Sequence, residues 1–312
     1  MRQAHLRLFL ALAIAVVAAV SASPATAGSY GTASTVCGGE VFDGLAALTQ
    51  TGTARGLDGS IRTEKNTEQY SGGTESGQKT PGKPTAGTIP VYVHVVHEVD
   101  GTGFVSASDV DAQIAVLNLT YAGFYGGADT GFRFTLGGLD YTANDAWYAQ
   151  ATIEDEVAMK SALKQGGSSD LNIYTTSGGG FLGWAYYPSI TASQRFGVLD
   201  GVVVHYGSLP NGFITNFNLG YTATHEVGHY LGLAHTFEKG CIGHGDYVDD
   251  TPYMSEPTSG CPIGKDTCTR GSGLDPIHNY MDYSIDPCYT QFTQGQTERM
   301  QKQYAHWRLK RA

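Results

Sequence analysis

An eleven-residue window from His225 to His235 has the pattern HExxHxxGxxH, and it constrains this chain more than any other segment. On a helix, His225 and His229 lie one turn apart on the same face and can each direct a nitrogen at a single ion. Glycine accepts the positive φ at which helices end, so Gly232 allows the chain to turn sharply. That turn brings His235 towards the same ion. Three neutral nitrogen ligands leave one tetrahedral position for water, which is typical of catalytic zinc sites.

Glu226 directly follows His225 and lies one step round the helix from the face that carries the two histidines. It is well placed to reach a water on the metal and poorly placed to be a ligand itself. Zinc lowers the pKa of bound water towards about 7 and polarises a carbonyl group. Glu226 accepts a proton from that water and passes it to the leaving amine, as general base and acid. The window therefore predicts zinc-dependent hydrolysis of an amide bond.

The N-terminus has the features of a secretory signal peptide. Arg2 and Arg7 precede an apolar run from Leu8 to Val20, and Ala25-Thr26-Ala27 matches a cleavage site of the A-x-A type. The apolar run is shorter than the roughly 20 residues that span a bilayer, which argues against a membrane anchor. We therefore expect residues 1–27 to be removed, and the remaining chain to be secreted, extracellular and not associated with a membrane.

The composition changes once along the remaining chain. Residues 28–88 are rich in small and polar residues, and the part from Ser71 to Pro84 has almost no apolar side chains. Such a segment cannot bury enough surface to offset its chain entropy, so we interpret residues 28–88 as a propeptide and linker. Residues 89–312 form the predicted catalytic domain. The formal net charge of −10 argues against binding to nucleic acid, and the protein is expected to be a monomer.

The catalytic domain alternates segments typical of strands with segments typical of helices, which predicts an α+β sheet covered by helices. Ser108 is expected to cap the first helix. The predicted strands are 89–97, 132–136, 171–175, 183–187 and 200–206, and the predicted helices are 106–119, 154–164, one beginning near 221, and 295–306.

The extended histidine pattern resembles the metzincin clan of zinc peptidases. Their second hallmark is a Met-turn, for which Asn279–Ser284, with Met281, is the candidate. More specifically, the chain resembles the pappalysin family. The resemblance is carried by the segments 225–237, 245–252, 279–284 and 292–300, and with the strand at 89 it spans the whole catalytic domain.

This resemblance implies a two-part catalytic domain with a cleft between the parts. The upper subdomain has a twisted, mainly parallel sheet with an antiparallel edge strand and helices, and the lower subdomain is rich in loops and linked by disulfides. A peptide substrate lies antiparallel to the edge strand, for which Leu182–Tyr187 is the candidate. The resemblance also implies that Met281 is structural and that Tyr283 helps catalysis by binding zinc or the oxyanion.

Two carboxylates in a glycine-flanked loop, Asp246 and Asp249, have the spacing and hard oxygen ligands that suit calcium. The family resemblance implies calcium in this region. A solvated acidic loop is the alternative.

Five cysteines follow the predicted signal peptide, and four of them lie in the loop-rich lower region. The sequence alone permits three pairings of those four. The family resemblance implies the pairs Cys241–Cys268 and Cys261–Cys288. The remaining cysteine, Cys37, lies in the predicted propeptide. A thiolate is a good fourth zinc ligand, so Cys37 is expected to take the position of the water and keep a zymogen inactive. An unpaired thiol without a role is the alternative.

Together these features predict a secreted zinc endopeptidase that acts on protein or peptide substrates and is made as a zymogen. The alternative is a secreted zinc-dependent binding or inhibitory module whose metzincin-like site is inactive. Glu226 favours the enzyme, because metal binding alone does not require a general base.

Overall fold

One sheet, formed by five strands of the described residues, organises the computed structural model. The structure describes residues 85–192, 197–269 and 273–309. The predicted signal peptide, most of the predicted propeptide and Cys37 lie outside the described residues. The strands are β1 (Thr88–His97), β2 (Arg133–Ala143), β3 (Leu171–Thr176), β4 (Gly183–Ala185) and β5 (Val202–His205). Their order across the sheet is β2-β1-β3-β5-β4.

All neighbouring strands are parallel except β4, which pairs antiparallel with β5 at one edge of the sheet. The mainly parallel sheet with an antiparallel edge strand, expected from the family resemblance, is therefore confirmed. The helices are α1 (Ala107–Tyr121), α2 (Asp145–Ala149), α3 (Ile153–Leu163), α4 (Pro188–Thr191), α5 (Tyr221–Tyr230) and α6 (Gln294–Trp307).

The two faces of the sheet contribute to two separate apolar layers. In β5, Val202 and Val204 pack into the layer that also holds residues of α1 and α5, whereas Val203 packs on the opposite side with Met159 of α3. This alternation follows from the two-residue period of strands, and both faces are covered because parallel sheets are buried on both sides. Helix α5, which contains the first two histidines of the pattern, is therefore held between the sheet and the rest of the core.

Two local predictions differ from the structure. Ser106 caps α1: it has extended backbone angles and its hydroxyl accepts a hydrogen bond from the amide of Asp109, whereas Ser108 lies inside the helix. The prediction of Ser108 as the cap is therefore wrong, because the backbone has already turned helical before it. Strand β2 continues to Ala143, well past its predicted end, because β1 offers a pairing partner along its whole length.

Between α5 and α6 the described residues form loops, with a single 3-10 turn at Asp286–Cys288. Two disulfides, Cys241–Cys268 and Cys261–Cys288, cross-link these loops, which is the pairing that the family resemblance implies. Each bridges a sequence separation of 27 residues, for which the chain-entropy account gives about 3 to 4 kcal/mol of stabilisation. The disulfides thus compensate for the small amount of regular structure in this region.

In the part of the chain that the structure describes, every helix is too short or too polar to cross a membrane.

Candidate active site

Helix α5 brings the first two histidines of the pattern together. All ten of its residues are buried, including His225 and His229. The Nε2 atoms of these two side chains lie 2.9 Å apart, as expected for positions one helical turn apart.

The other ring nitrogen of each histidine faces a backbone carbonyl. The Nδ1 of His225 lies 2.6 Å from the carbonyl oxygen of Tyr280, and the Nδ1 of His229 lies 2.7 Å from that of Leu233. Because a carbonyl oxygen only accepts hydrogen bonds, each Nδ1 carries the proton and each Nε2 presents a lone pair. Two lone pairs that face each other in a buried position are favourable only when they share a positive charge, a proton or a metal ion.

A sharp turn at the end of α5 brings in the third histidine. Gly232 has a φ of 95°, and the amide of Leu233 donates to the carbonyl of Gly228, which closes the helix in the manner of a Schellman motif. The ring of His235 then lies 4.7 Å from that of His229 and 5.2 Å from that of His225, measured between centroids. One ligand atom from each of the three histidines lies within 4.8 Å of the others.

This donor set fits a transition metal ion. It consists of three buried imidazoles, two of them fixed by carbonyl groups in the tautomer that can bind a metal through Nε2. Imidazole nitrogens suit zinc, and three protein ligands leave a position for a reacting molecule.

Glu226 is fully buried and lies directly beneath the edge strand β4. A Cβ atom added to Gly183 of that strand would be 3.0 Å from the Cγ of Glu226 and 2.8 Å from the carbonyl oxygen of Val203. The strand backbone can approach the glutamate this closely only because position 183 has no side chain. Gly183 was not among the predicted site residues, although a glycine in a short predicted strand is a signal of close approach.

The Met-turn supports α5 from below. Met281 is completely buried, and a Cβ atom on Gly228 of α5 would overlap its sulfur atom. The side chain of Asn279 accepts a hydrogen bond from the amide of Met281 and exchanges hydrogen bonds with Gln296 at the start of α6. The turn therefore places the carbonyl of Tyr280 where it contacts His225, so its role extends beyond filling the core.

Two aromatic rings line the histidine cluster. Tyr283 is 3% exposed, and the centroid of its ring lies 4.8 Å from that of His235 and 5.8 Å from that of His225. Phe237 stacks on His235 at 4.5 Å, a contact that the sequence analysis did not predict. The structure thus places Tyr283 beside two of the three histidines.

The acidic loop places its two carboxylates in different surroundings. Asp246 is buried and accepts a hydrogen bond from the amide of Val248, whereas Asp249 is exposed. Burial raises the pKa of Asp246 to about 8, an effect that the Val248 amide and the charge of Arg299 oppose. The calcium site stays a prediction.

Comparisons with known proteins agree with this geometry. The family model of peptidase M43, described as pregnancy-associated plasma protein-A, matches residues 170–305. An extracellular metalloprotease of Sordaria macrospora is 46% identical over 224 residues, which cover 70% of this chain and 75% of the relative. An extracellular metalloprotease of Neurospora crassa is 45% identical over 224 residues, with the same two coverages of 70% and 75%.

Solved structures of mirolysin from Tannerella forsythia have a similar fold. Mature mirolysin in complex with a cleaved peptide aligns with a TM-score of 0.60 at 31% identity, covering 69% of this chain and 90% of mirolysin. A mutant of promirolysin aligns with a TM-score of 0.64 at 27% identity, covering 79% of this chain and 87% of promirolysin. The resemblance found in the sequence is confirmed, and the chain belongs to the peptidase M43, or pappalysin, family of metzincin metalloproteases.

Proposed function

We propose that this chain is a secreted, extracellular zinc endopeptidase that hydrolyses protein or peptide substrates as a monomer. The observation that carries the proposal is the convergence of three buried imidazoles beside a buried glutamate, next to the edge strand β4. The extracellular metalloproteases among its relatives and the peptide complex of mirolysin support it.

His225, His229 and His235 would hold the zinc ion. Zinc bound there supplies a Lewis acid that acidifies water and polarises the carbonyl of the scissile bond. The carbonyl groups of Tyr280 and Leu233 keep two of the rings in the required tautomer, so metal binding needs no reorganisation of those side chains.

Glu226 moves the proton. Its carboxylate accepts a proton from the attacking water as the oxygen bonds to the scissile carbon, and it delivers that proton to the amine as the C–N bond breaks. Burial of Glu226 excludes bulk water, which strengthens its interaction with the developing charge.

Tyr283 assists next to His235. Its hydroxyl donates a hydrogen bond to the oxyanion that develops from the scissile carbonyl, or it binds the metal itself. The proximity of its ring to His225 and His235 supports this role.

The enzyme is made as a zymogen in which the Cys37 thiolate would serve as a ligand of the bound zinc. A thiolate is a strong zinc ligand and would exclude the water that the reaction needs. The similarity to promirolysin supports a zymogen.

The chain has three parts: residues 1–27 serve as the signal peptide, residues 28–88 as the propeptide and linker, and residues 89–312 as the catalytic domain. In the catalytic domain, Asp246 and Asp249 would bind calcium.

Replacing Glu226 with Gln removes the general base and keeps the size of the side chain. We expect kcat/KM for casein or a peptide to fall by about 100-fold or more, in line with the usual contribution of proton transfer. The zinc content is expected to stay unchanged, because Glu226 is not a ligand. The matched control is Glu256→Gln in an exposed loop, which should retain activity. Cleavage by Glu226→Gln at the rate of the unsubstituted enzyme would exclude Glu226 as the base.

Replacing Tyr283 with Phe removes only a hydroxyl group. We expect kcat to fall by about 100-fold with little change in KM, because the lost hydrogen bond acts on charge that develops in the transition state. Steady-state kinetics with a peptide substrate measure both values. The control is Tyr141→Phe, which changes a tyrosine that is 42% exposed on β2. An unchanged kcat in Tyr283→Phe would make the tyrosine a packing residue only.

Removal of the metal should abolish cleavage. We expect elemental analysis of the active enzyme to find one equivalent of zinc, and phenanthroline to remove both zinc and activity. Added zinc should restore activity, whereas added calcium should not. Active enzyme without stoichiometric zinc would contradict the proposed zinc site.

A calcium-selective chelator that leaves zinc in place should lower the melting temperature if the acidic loop binds calcium.

Replacing Cys37 with Ala removes the proposed thiolate ligand. We expect the unprocessed Cys37→Ala protein to cleave a peptide before any propeptide is lost, whereas the unsubstituted zymogen does not. The control Ser34→Ala changes a neighbouring propeptide residue and should stay inactive until it is processed. A Cys37→Ala zymogen as inactive as its parent would rule out the thiolate switch.

A further inference from the structure

The register of β4 shows which of its residues direct their backbone groups away from β5, towards the outer edge of the sheet. The amide of His205 donates to the carbonyl of Leu182 at 2.7 Å, so these opposite residues form a hydrogen-bonded pair. Hydrogen-bonded and non-hydrogen-bonded pairs alternate in antiparallel ladders. Trp184 therefore bonds towards β5, and Gly183 and Ala185 direct their N–H and C=O groups outward. These are the backbone groups that an added peptide strand would meet.

The side chains that alternate with these edge residues point to the other face of the sheet. Trp184 and Tyr186 lie in the apolar layer opposite α5, where both donate to one carboxylate of α3. The Nε1 of Trp184 lies 2.9 Å from Oε1 of Glu156, and the hydroxyl of Tyr186 lies 3.0 Å from Oε2. Both oxygens of a buried carboxylate are thus bonded to residues on either side of Ala185.

Lys160 completes this group and extends it to β5. Its Nζ lies 2.7 Å from Oε1 of Glu156, and it donates to the carbonyls of Leu199 and Gly201, just before β5 begins. Glu156 is 1% exposed and Lys160 is fully buried. We call Glu156, Lys160, Trp184 and Tyr186 the Glu156 cluster. It connects α3, the edge strand and the segment that leads into β5.

A buried cluster of this kind need not make the fold more stable than an apolar core of the same shape. A buried ion pair loses its hydration on folding, and apolar residues of similar volume often stabilise a core as well or better. Apolar contacts alone would keep Trp184 and Tyr186 in the layer without fixing the direction of either ring. Hydrogen bonds from Trp184 and Tyr186 to one carboxylate fix the orientation of both rings. They therefore also fix how far the backbone of β4 lies from the helix that carries Glu226. The close approach of Gly183 to Glu226 leaves little tolerance for a shift of that strand.

We propose that Glu156, with its charge neutralised by Lys160, is a positioning residue that holds β4 from the face opposite the metal site, so that Gly183 and Ala185 receive the substrate backbone beside Glu226. This inference rests on the proposed peptidase function. The cluster touches neither substrate nor metal, so it acts on the binding of an extended peptide through β4.

Tyr186→Phe is the mildest test, because it removes one hydrogen bond to Glu156 and keeps the ring. The matched control is Tyr174→Phe: this tyrosine lies in the same apolar layer, and its hydroxyl has no hydrogen-bond partner among the described residues.

The substrates are an extended peptide with four residues on each side of the scissile bond and a short peptide with one residue before it. We expect Tyr186→Phe to raise KM for the extended peptide about tenfold, the size of effect typical of a hydrogen bond to a charged group. The kcat and the kinetics of the short peptide should stay within about twofold, and Tyr174→Phe should behave like the unsubstituted enzyme.

Two double variants test the ion pair without leaving an unpaired buried charge. Glu156→Gln with Lys160→Met keeps an acceptor oxygen for Trp184, whereas Glu156→Leu with Lys160→Met keeps none. We expect the double variant with glutamine to keep the KM of the unsubstituted enzyme for the extended peptide within about threefold. The double variant with leucine should raise that KM at least tenfold, at a similar melting temperature. Both double variants lack the charges of Glu156 and Lys160, so a difference in KM between them would show that the hydrogen bond to residue 156 matters.

The outcomes separate this inference from the proposed function. If the unsubstituted enzyme cleaves both peptides and all variants share its KM for the extended one, the positioning role is wrong and the peptidase function stands. If the variants lose activity on both peptides in parallel with their melting temperature, the cluster is only structural and the inference is also wrong. If the unsubstituted, activated enzyme cleaves neither peptide, the function and the positioning role fail together.

Discussion

The metal site depends on two backbone carbonyls that accept hydrogen bonds from histidine Nδ1 atoms. The carbonyl of Tyr280 bonds His225, and the carbonyl of Leu233 bonds His229. Each bond decides which nitrogen carries the proton, and therefore which nitrogen can bind a metal. The Met-turn and the end of α5 thus act on the chemistry through main-chain atoms, and the surrounding side chains serve to hold those atoms in place. Asn279 and Gln296 are examples, since their paired amides hold the turn against α6.

Absent side chains are as important to the site as those that are present. Gly183 lets the edge strand lie against Glu226, Gly228 makes room for the sulfur of Met281, and Gly232 allows the turn that brings in His235. A Cβ atom at any of these positions would meet a neighbouring residue of the site or, at Gly232, the side chain of Gln303. Three elements of the fold can therefore approach α5 far more closely than ordinary side chains would permit.

The sheet gives its two faces different roles. One face packs against α5 and carries the metal site, while the other buries the ion pair of Glu156 and Lys160. The edge strand belongs to both, because successive residues of a strand point to opposite faces. Gly183 contacts Glu226, and its neighbour Trp184 bonds Glu156 on the far side. A strand of three residues is thereby fixed from both directions.

Local spacing in the sequence determined the three histidines, the glutamate between the first two, and the turn at Gly232, because a helical turn and a positive φ are properties of a few adjacent residues. Short runs typical of strands likewise predicted all five strands, and family resemblance predicted the antiparallel edge and the two disulfide pairs. The helix cap at Ser106 and the full length of β2 were not predicted correctly, since both follow from backbone geometry and from the partner strand. Only the tertiary structure decided which carbonyl bonds His225, which strand lies over Glu226, and which carboxylate holds Trp184. The bonded residues are 55 positions apart in the first case and 28 in the last, and hydrogen bonds between such distant residues depend on how packed elements meet rather than on any periodicity along the chain.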